Sequence, residues 1–349
     1  MTEATDRFVL WEQIVDAARC TPSPHNVQPW RVKILSQDSA DLYIDGSRTL
    51  PREDYTGSFL VATMGMYLEA LDLVAAHRGM RVDAALVQSG EWYAAQVTKP
   101  SQPPLTLFAH LKLIPAIGRP VDYDASILLN RLTSRISLSP EPLPDAAIAA
   151  LANLASRWNH RYIHIVDTAV IEDILAHNIQ AVFNDMNLAP YHDEIVGWFR
   201  FTDRSAREHK DGLDWRCMNL SRAEFWMSAH LSRLLLFPPT RLLFKRRYRR
   251  QLGTIPAIGI LSGDFFDHSN SVASGRFLMR FWLEVTRLGL YVHPYGNLVT
   301  NTEASTWLEA RTGIPRIWLV FKIGFSGPPP RSHRRSLNEI LIPTSDGAL

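Results

Sequence analysis

Pro22-Ser23-Pro24-His25-Asn26-Val27-Gln28-Pro29-Trp30 is the stretch whose reading decides this chain. It joins a run with helical spacing (Leu10, Ile14, Val15, Ala18) to a run from Trp30 to Leu35 that alternates like a strand. Prolines constrain its path, and Ser, His, Asn and Gln supply short donors and acceptors. Such a connection between a helix and a strand suits the holding of a small polar ligand.

Outward from this loop the pattern is mixed. Asp6 is placed to cap the first helix. Val32-Ile34 and Leu42-Ile44 read as strands around a turn at 36–41, and Phe59 to His77 as a long apolar helix closed by Gly79 in the left-handed region. Strands are expected at 81–87, 92–98 and 105–111, with Pro100 to Pro104 as an interruption. Pro115 to Pro120 marks a boundary, after which the order partly repeats. A helix at 143–158, strands at 161–166, 255–261, 291–293 and 316–323, and a long helix from Gly275 to Leu288 follow. This fits two diverged copies of one α+β unit, residues 1–120 and 121–349. Leu68-Glu69 against Leu283-Glu284 is the best local echo. Residues 187–254 fit neither copy. They are helical and charged, and Leu234 to Pro239 precedes the basic run Lys245 to Arg250. An apolar segment beside a basic one suits a membrane surface or a nucleic-acid backbone. Packing on its own domain is the reading adopted, because no other basic face accompanies it.

Composition narrows the function class. With 46% apolar residues, 10% aromatic residues and ten tryptophans, the 349-residue chain has the means to bury a large core. A net charge of +2 does not point to nucleic acid. Two cysteines, Cys20 and Cys217, make neither a disulfide framework nor a metal site, which suits a reducing compartment. No apolar signal segment follows the acidic N-terminus, and no stretch is read as long and apolar enough for a bilayer span. The expectation is a cytoplasmic protein with no membrane or nucleic-acid partner. Dinucleotide, P-loop, zinc-protease and serine-hydrolase motifs are absent. His160 and His164 straddle a strand and read as strand-edge residues rather than metal ligands.

Three further clusters stand out. Asn130-Arg131-Leu132-Thr133-Ser134-Arg135 sets two arginines four apart, lining one helical turn or tight loop. Guanidinium forks with hydroxyls suit a phosphate, although a solvated basic turn reads the same way. Pro328-Pro329-Pro330-Arg331-Ser332-His333-Arg334-Arg335 delivers a basic turn after a rigid triproline. Gly289 to Asn297 runs from a helix end through a short strand into Pro294-Tyr295-Gly296, a turn able to bring backbone N–H groups close to a flat ligand.

Taken in this order, the four clusters resemble the nitroreductase-like FMN-binding superfamily, and most of all its long single-chain branch typified by the mycobacterial Acg proteins. The resemblance covers roughly residues 7–115 and 125–342. It implies a nitroreductase-like α+β fold in which two fused, diverged copies form a single-chain pseudo-dimer. It also implies a flavin between the halves with hydride transfer at N5, and NAD(P)H and a small-molecule substrate using one pocket in turn. Family members build two sites across a homodimer. Carried over, Pro22, Ser23, Pro24, Asn26 and Gln28 belong to the loop on the isoalloxazine and ribityl. Arg131, Ser134 and Arg135 hold the phosphate and ribityl, and Pro294, Tyr295 and Gly296 face N5 and O4, with Tyr295 a pocket residue rather than a catalytic one. Arg334 or Arg335, and less directly Arg331, complete the neutralisation. The first half begins too close to its first helix for an arginine loop of its own, and 153–160 has lost the second Pro-Ser-x-x-Asn loop. One intact site and one vestigial site are therefore expected, in a monomeric pseudo-dimer or a weak homo-oligomer. Pro24 and His25 depart from the small hydroxyl residues common there, which reshapes the substrate side. The insert is a lid candidate, so a flavin-sequestering protein with little turnover is the alternative to an oxidoreductase. An oxygen-dependent flavin dehydrogenase of a biosynthetic pathway is a further one.

Overall fold

The computed structural model describes residues 9–87, 105–231 and 237–343. The Asp6 cap, the strand expected at 92–98, the Pro100 to Pro104 interruption and Leu234 to Leu236 lie outside them. The first half opens with α1 (Val9–Ala18), which buries Trp11, Ile14, Val15 and Ala18 along one stripe. Strands β1 (Trp30–Ile34) and β2 (Ser39–Asp45) pair antiparallel with Trp30 opposite Ile44 and Ile34 opposite Ala40. Helix α2 (Ser58–Ala76) starts where the Asp54 carboxylate accepts from the N–H groups of Phe59 (3.2 Å) and Leu60 (2.7 Å). Beyond it, Gly79 takes φ +66° as expected. Strands β3 (Met80–Leu86) and β4 (Leu105–Pro115) complete a sheet of order β1-β2-β4-β3, antiparallel throughout.

The second half repeats this connectivity around an insertion. Helix α3 (Asp145–Arg157) leads into β5 (Arg161–Ile165). The insertion then carries α4 (Thr168–Asp185), α5 (Ala189–Gly197), α6 (Asp203–His209), α7 (Arg222–His230) and α8 (Pro238–Leu252). Strand β6 (Ala257–Ser262), helix α9 (His268–Arg287), strand β7 (Tyr291–Pro294), helix α10 (Thr302–Thr312) and strand β8 (Ile317–Gly324) follow. The second sheet has the order β5-β6-β8-β7, again antiparallel. Strand for strand this is the order of the first sheet. The chain is thus an α+β fold of two copies.

The copies meet where α2 crosses α9. A Cβ on Gly65 would lie 2.3 Å from the Val272 carbonyl oxygen, and one on Gly275 would lie 2.0 Å from that of Ala62. Each helix thus places a glycine under the other's backbone, as an approximate twofold axis requires. Gly65 and Gly275 share their sequence offset with the helix-ending Gly79 and Gly289. Leu68-Glu69 and Leu283-Glu284 are five positions out of that register, so the echo read from sequence is not the structural equivalence.

Two sequence readings are corrected. Helix α2 is by length and composition apolar enough to cross a bilayer, but every residue of it except Phe59 is buried in this fold. Helices α4 and α10 were not foreseen, although both carry side-chain N-caps, Asp167 and Asn301. The two halves also share a sheet contact. The chain after β8 returns to the first sheet, where Leu341 bridges Val32 and the Ile342 N–H donates to the Val32 carbonyl (2.8 Å).

Arg119, on the connection between halves, makes a bidentate pair with Asp72 of α2 (2.8 and 2.6 Å), and Asp72 also accepts from the Val82 N–H. Asp72→Ala leaves that donor and a half-buried guanidinium unpaired. A loss of about 1–3 kcal/mol is expected, measured by denaturant unfolding.

Candidate functional site

The quoted loop is held in a conformation that few residues adopt. His25, Asn26 and Gln28 have φ of 46°, 57° and 52°. Asn enters this region more readily than most residues, but three such positions in four need external support. Ser23 Oγ accepts from the Gln28 N–H (3.0 Å), and the Gln28 amide bridges the Lys210 carbonyl (2.9 Å) and the Arg335 N–H (2.9 Å). Asn26 Nδ2 donates to the carbonyls of Gly212 (3.3 Å) and His333 (3.0 Å), while its Oδ1 accepts from Arg334 (2.8 Å). The polar side chains of the loop therefore fix its shape and are mostly spent in doing so.

That shape forms one wall of a cavity of about 670 Å³. Both halves border it: Pro22 to Val27 and the start of α2 on one side, Arg131 to Thr133, Arg135, Pro294 to Gly296 and Pro330 to Arg334 on the other, with residues of the insertion along the remainder. A volume of that size is ordinary for a cofactor or substrate site.

Four arginines of the cavity, Arg131, Arg135, Arg331 and Arg334, have no carboxylate within salt-bridge distance among the described residues. Arg131 is 3% exposed and its guanidinium lies 4.7 Å over the Trp282 ring. Its Nη2 reaches the Cys20 carbonyl at 3.4 Å, but Nε and Nη1 have no partner. Burial, with Arg334 and Arg331 nearby, pushes Arg131 down to about 9. Arg334 is lowered in the same way, chiefly by burial, and its Nε is orphaned too. Guanidinium groups keep their protons in proteins, so this strain calls for an anion.

Arg131 and Arg135 do not line one helical turn. The backbone is extended from Arg131 onward (φ −67°, ψ 116°) and runs along β7, with Thr133 bridging Val292. Four extended residues span about 13 Å, which separates the two guanidinium groups. Arg131 keeps company with Arg331 and Arg334, whereas Arg135 sits with His25, His293 and Lys322 and donates to the Cys217 carbonyl (3.1 Å). Arg131, Leu132, Thr133 and Arg135 border the cavity, while Ser134 is fully buried and bonds Ser326 Oγ (3.1 Å). Thr133, quoted in the sequence cluster but not carried over as a site residue, is the hydroxyl at the cavity.

The other positions divide as follows. Pro22, Ser23, Pro24, Asn26, Pro294, Tyr295, Gly296, Arg331 and Arg334 all border the cavity. Gln28 and Arg335 stand behind the wall; Arg335 donates to the Gln28 and Glu339 carbonyls. Tyr295 spends its N–H on Val320 (2.8 Å), which leaves that of Gly296 for a ligand. The buried Tyr295 hydroxyl has no partner, and burial holds its proton well above the usual range. On α4, Asn178 is 1% exposed at the cavity wall with neither amide atom partnered, a residue no sequence pattern marked.

The insertion is tied across the quoted loop. Asp211 pairs with Arg48 (2.8 Å) and Arg200 (2.6 Å), and Lys210 with Glu339 (2.9 Å). In the second copy only Trp158 to His160 connect α3 to β5, and His160 is packed on Phe277 (4.7 Å) and Trp318 (5.3 Å). Burial lowers its imidazole to about 4. It is a core residue, and His164 hydrogen-bonds Tyr162 on the same strand (2.9 Å). No metal-ligand cluster occurs among the described residues.

No family model matches the chain, and no curated protein matches it. Solved structures similar to it include a nitroreductase with bound FMN from Bacteroides fragilis (10% identity, TM-score 0.35, covering 60% of this chain and 92% of that one). Another is the FMN-dependent nitroreductase NfnB from Mycobacterium smegmatis in complex with NADPH (14%, 0.37, 61% and 94%). A third is a nitroreductase with bound FMN from Desulfitobacterium hafniense (13%, 0.34, 64% and 95%).

Proposed function

We propose that this chain is an FMN-dependent oxidoreductase that holds one flavin between its two halves. One observation carries the reading: Arg131, buried with Nε and Nη1 orphaned, and the half-buried Arg334 with its Nε orphaned lie without counter-charge at a ligand-sized cavity. A phosphate monoester satisfies all of these needs at once. Arg131, Arg331 and Arg334 hold the phosphate. Thr133 serves the adjoining hydroxyl chain, and Pro22 and Pro24 pack on the ring. Arg135 supplies positive charge at the far end, and the free N–H of Gly296 meets a ring heteroatom. Bound FMN would supply the two-electron chemistry, for which these side chains provide position and field.

One flavin per chain follows, because the second copy keeps only three residues between helix and strand where the first has the quoted loop. The absorption spectrum of the purified protein and its flavin content test this. Two flavin bands at about one FMN per chain are expected, and a ratio near two would contradict it. The insertion's ties across the loop favour a second reading, a flavin-holding protein with little turnover. Stopped-flow mixing of the FMN-loaded protein with NADH or NADPH separates the two. Bleaching within seconds supports turnover, and an unchanged spectrum over minutes supports holding.

A further inference from the structure

Between the quoted loop and Gly296 lies a charged pair that phosphate binding does not use. His25 Nε2 is 2.7 Å from Glu53 Oε2, and each side chain is 15% exposed. Both residues border the cavity. Glu53 comes from the turn before α2, and its Oε1 is 3.6 Å from where a Cβ on Gly296 would stand. The pair thus bridges the first-half loop and the second-half turn. The backbone N–H groups of Arg52 and Glu53 donate to the Glu194 carboxylate of α5 at 2.9 Å each, which fixes the turn from the insertion side. On the other edge of the imidazole, Nδ1 is buried and has no partner within the protein.

An imidazole clamped on a carboxylate through one nitrogen offers the other as a donor. Around it the cavity is rich in cations. A phosphate dianion would balance about two of the four arginines that lack carboxylates, which leaves positive charge near Arg135. Phe59, Leu60 and Phe199 supply apolar walls. We infer that the His25–Glu53 pair, with Arg135, forms a subsite for the anionic oxygen of a second ligand, a small aromatic or conjugated carboxylic acid. The inference rests on the flavin reading only for the ligand occupying the arginine end.

The groups facing the imidazole set its titration. Burial, the largest influence, disfavours the charge, as does Arg135. The charge and hydrogen bond of Glu53, with Glu194 behind it, outweigh both and raise His25 above its ordinary value, while Glu53 is held below its own. Asp54 and Asp185 face Glu53, and Lys322, lowered to about 8 by burial and Arg135, titrates behind Arg135. A raised imidazole is charged below its folded value and loses that charge as pH rises through it. The subsite should therefore bind its anion at low pH and release it at high pH.

The test is calorimetric binding of benzoate, with benzamide as the uncharged control, to FMN-loaded protein between pH 6 and 10. Benzoate affinity should fall tenfold or more across that range, with benzamide weak and flat. His25→Asn, which tolerates the left-handed backbone, should weaken benzoate at pH 6 about tenfold and abolish the fall. Glu53→Gln should move the fall to lower pH. An FMN titration of each variant reads the flavin assignment separately, and it should match the unmodified protein. Undetectable benzoate binding, a flat wild-type profile, or the same fall in His25→Asn (then owed to Lys322) would overturn the subsite. Failure to bind FMN while benzoate still titrates would overturn the flavin reading instead.

Discussion

Replacing Arg131 and Arg334 together by alanine is expected to weaken FMN binding by two orders of magnitude or more. Arg131 is buried with Nε and Nη1 unpartnered, and the half-buried Arg334 has its Nε unpartnered. A charge-assisted hydrogen bond contributes about 1.5–3 kcal/mol, or roughly 10- to 150-fold in affinity per residue. The two neighbour each other, so their losses need not add. Quenching of flavin fluorescence on titration gives the affinity. Arg335→Ala is the comparison: its guanidinium ties the Gln28 and Glu339 carbonyls behind the wall, so it should lower stability more than affinity. Removing Arg334 also strips Asn26 Oδ1 of a donor that holds the loop, so denaturant unfolding of the flavin-free double variant is measured alongside. A double variant that holds FMN as tightly as the unmodified chain would place the phosphate elsewhere.

Gly275→Leu is expected to cost about 3 kcal/mol or more, at or beyond the upper end of ordinary overpacking. A Cβ there meets the Ala62 carbonyl oxygen at 2.0 Å, its carbon at 2.7 Å and Cα at 2.8 Å, all backbone atoms that no rotamer can move aside. Relief requires α2 and α9 to part. Ala62, Thr63, Leu278 and Trp282 of these helices border the cavity, so flavin should be lost along with stability. Thermal unfolding read by tryptophan fluorescence measures the first effect and flavin retention the second. Gly289→Ala is the control. Its φ of +71° makes any side chain strained, but nothing lies within 4 Å, so a loss of about 1 kcal/mol is expected. If both variants unfold alike, the crossing is not what joins the halves.

The legible parts of this chain were those written locally. The period of α1, the left-handed exit at Gly79 and the helix end at Gly289 depend on near neighbours, and all three were readable. The arginine segment was read as one helical turn or a tight loop, whereas pairing with β7 holds it extended and puts Thr133 rather than Ser134 at the cavity. That pairing joins residues far apart in sequence, which no window sees. The same limit hid Glu53, whose partnership with His25 exists only once α2 is docked, and Asn178, whose amide means something only beside a cavity. Compositional likeness misled at Leu68-Glu69, where the true register needed two glycines in contact across a helix crossing.

Three residues from Trp158 to His160 do in the second copy what a long polar loop does in the first. In an assembly of two identical chains, shortening that connection would delete it from both places, and every binding pocket would vanish together. Covalent fusion breaks that constraint: a deletion inherited by one copy is invisible to its twin. The shortened copy can then serve as scaffold and, at its separate β5–β6 connection, carry ninety-odd residues that the first copy's short β1–β2 turn does not share. The outcome is an asymmetric chain in which only one copy carries the added segment.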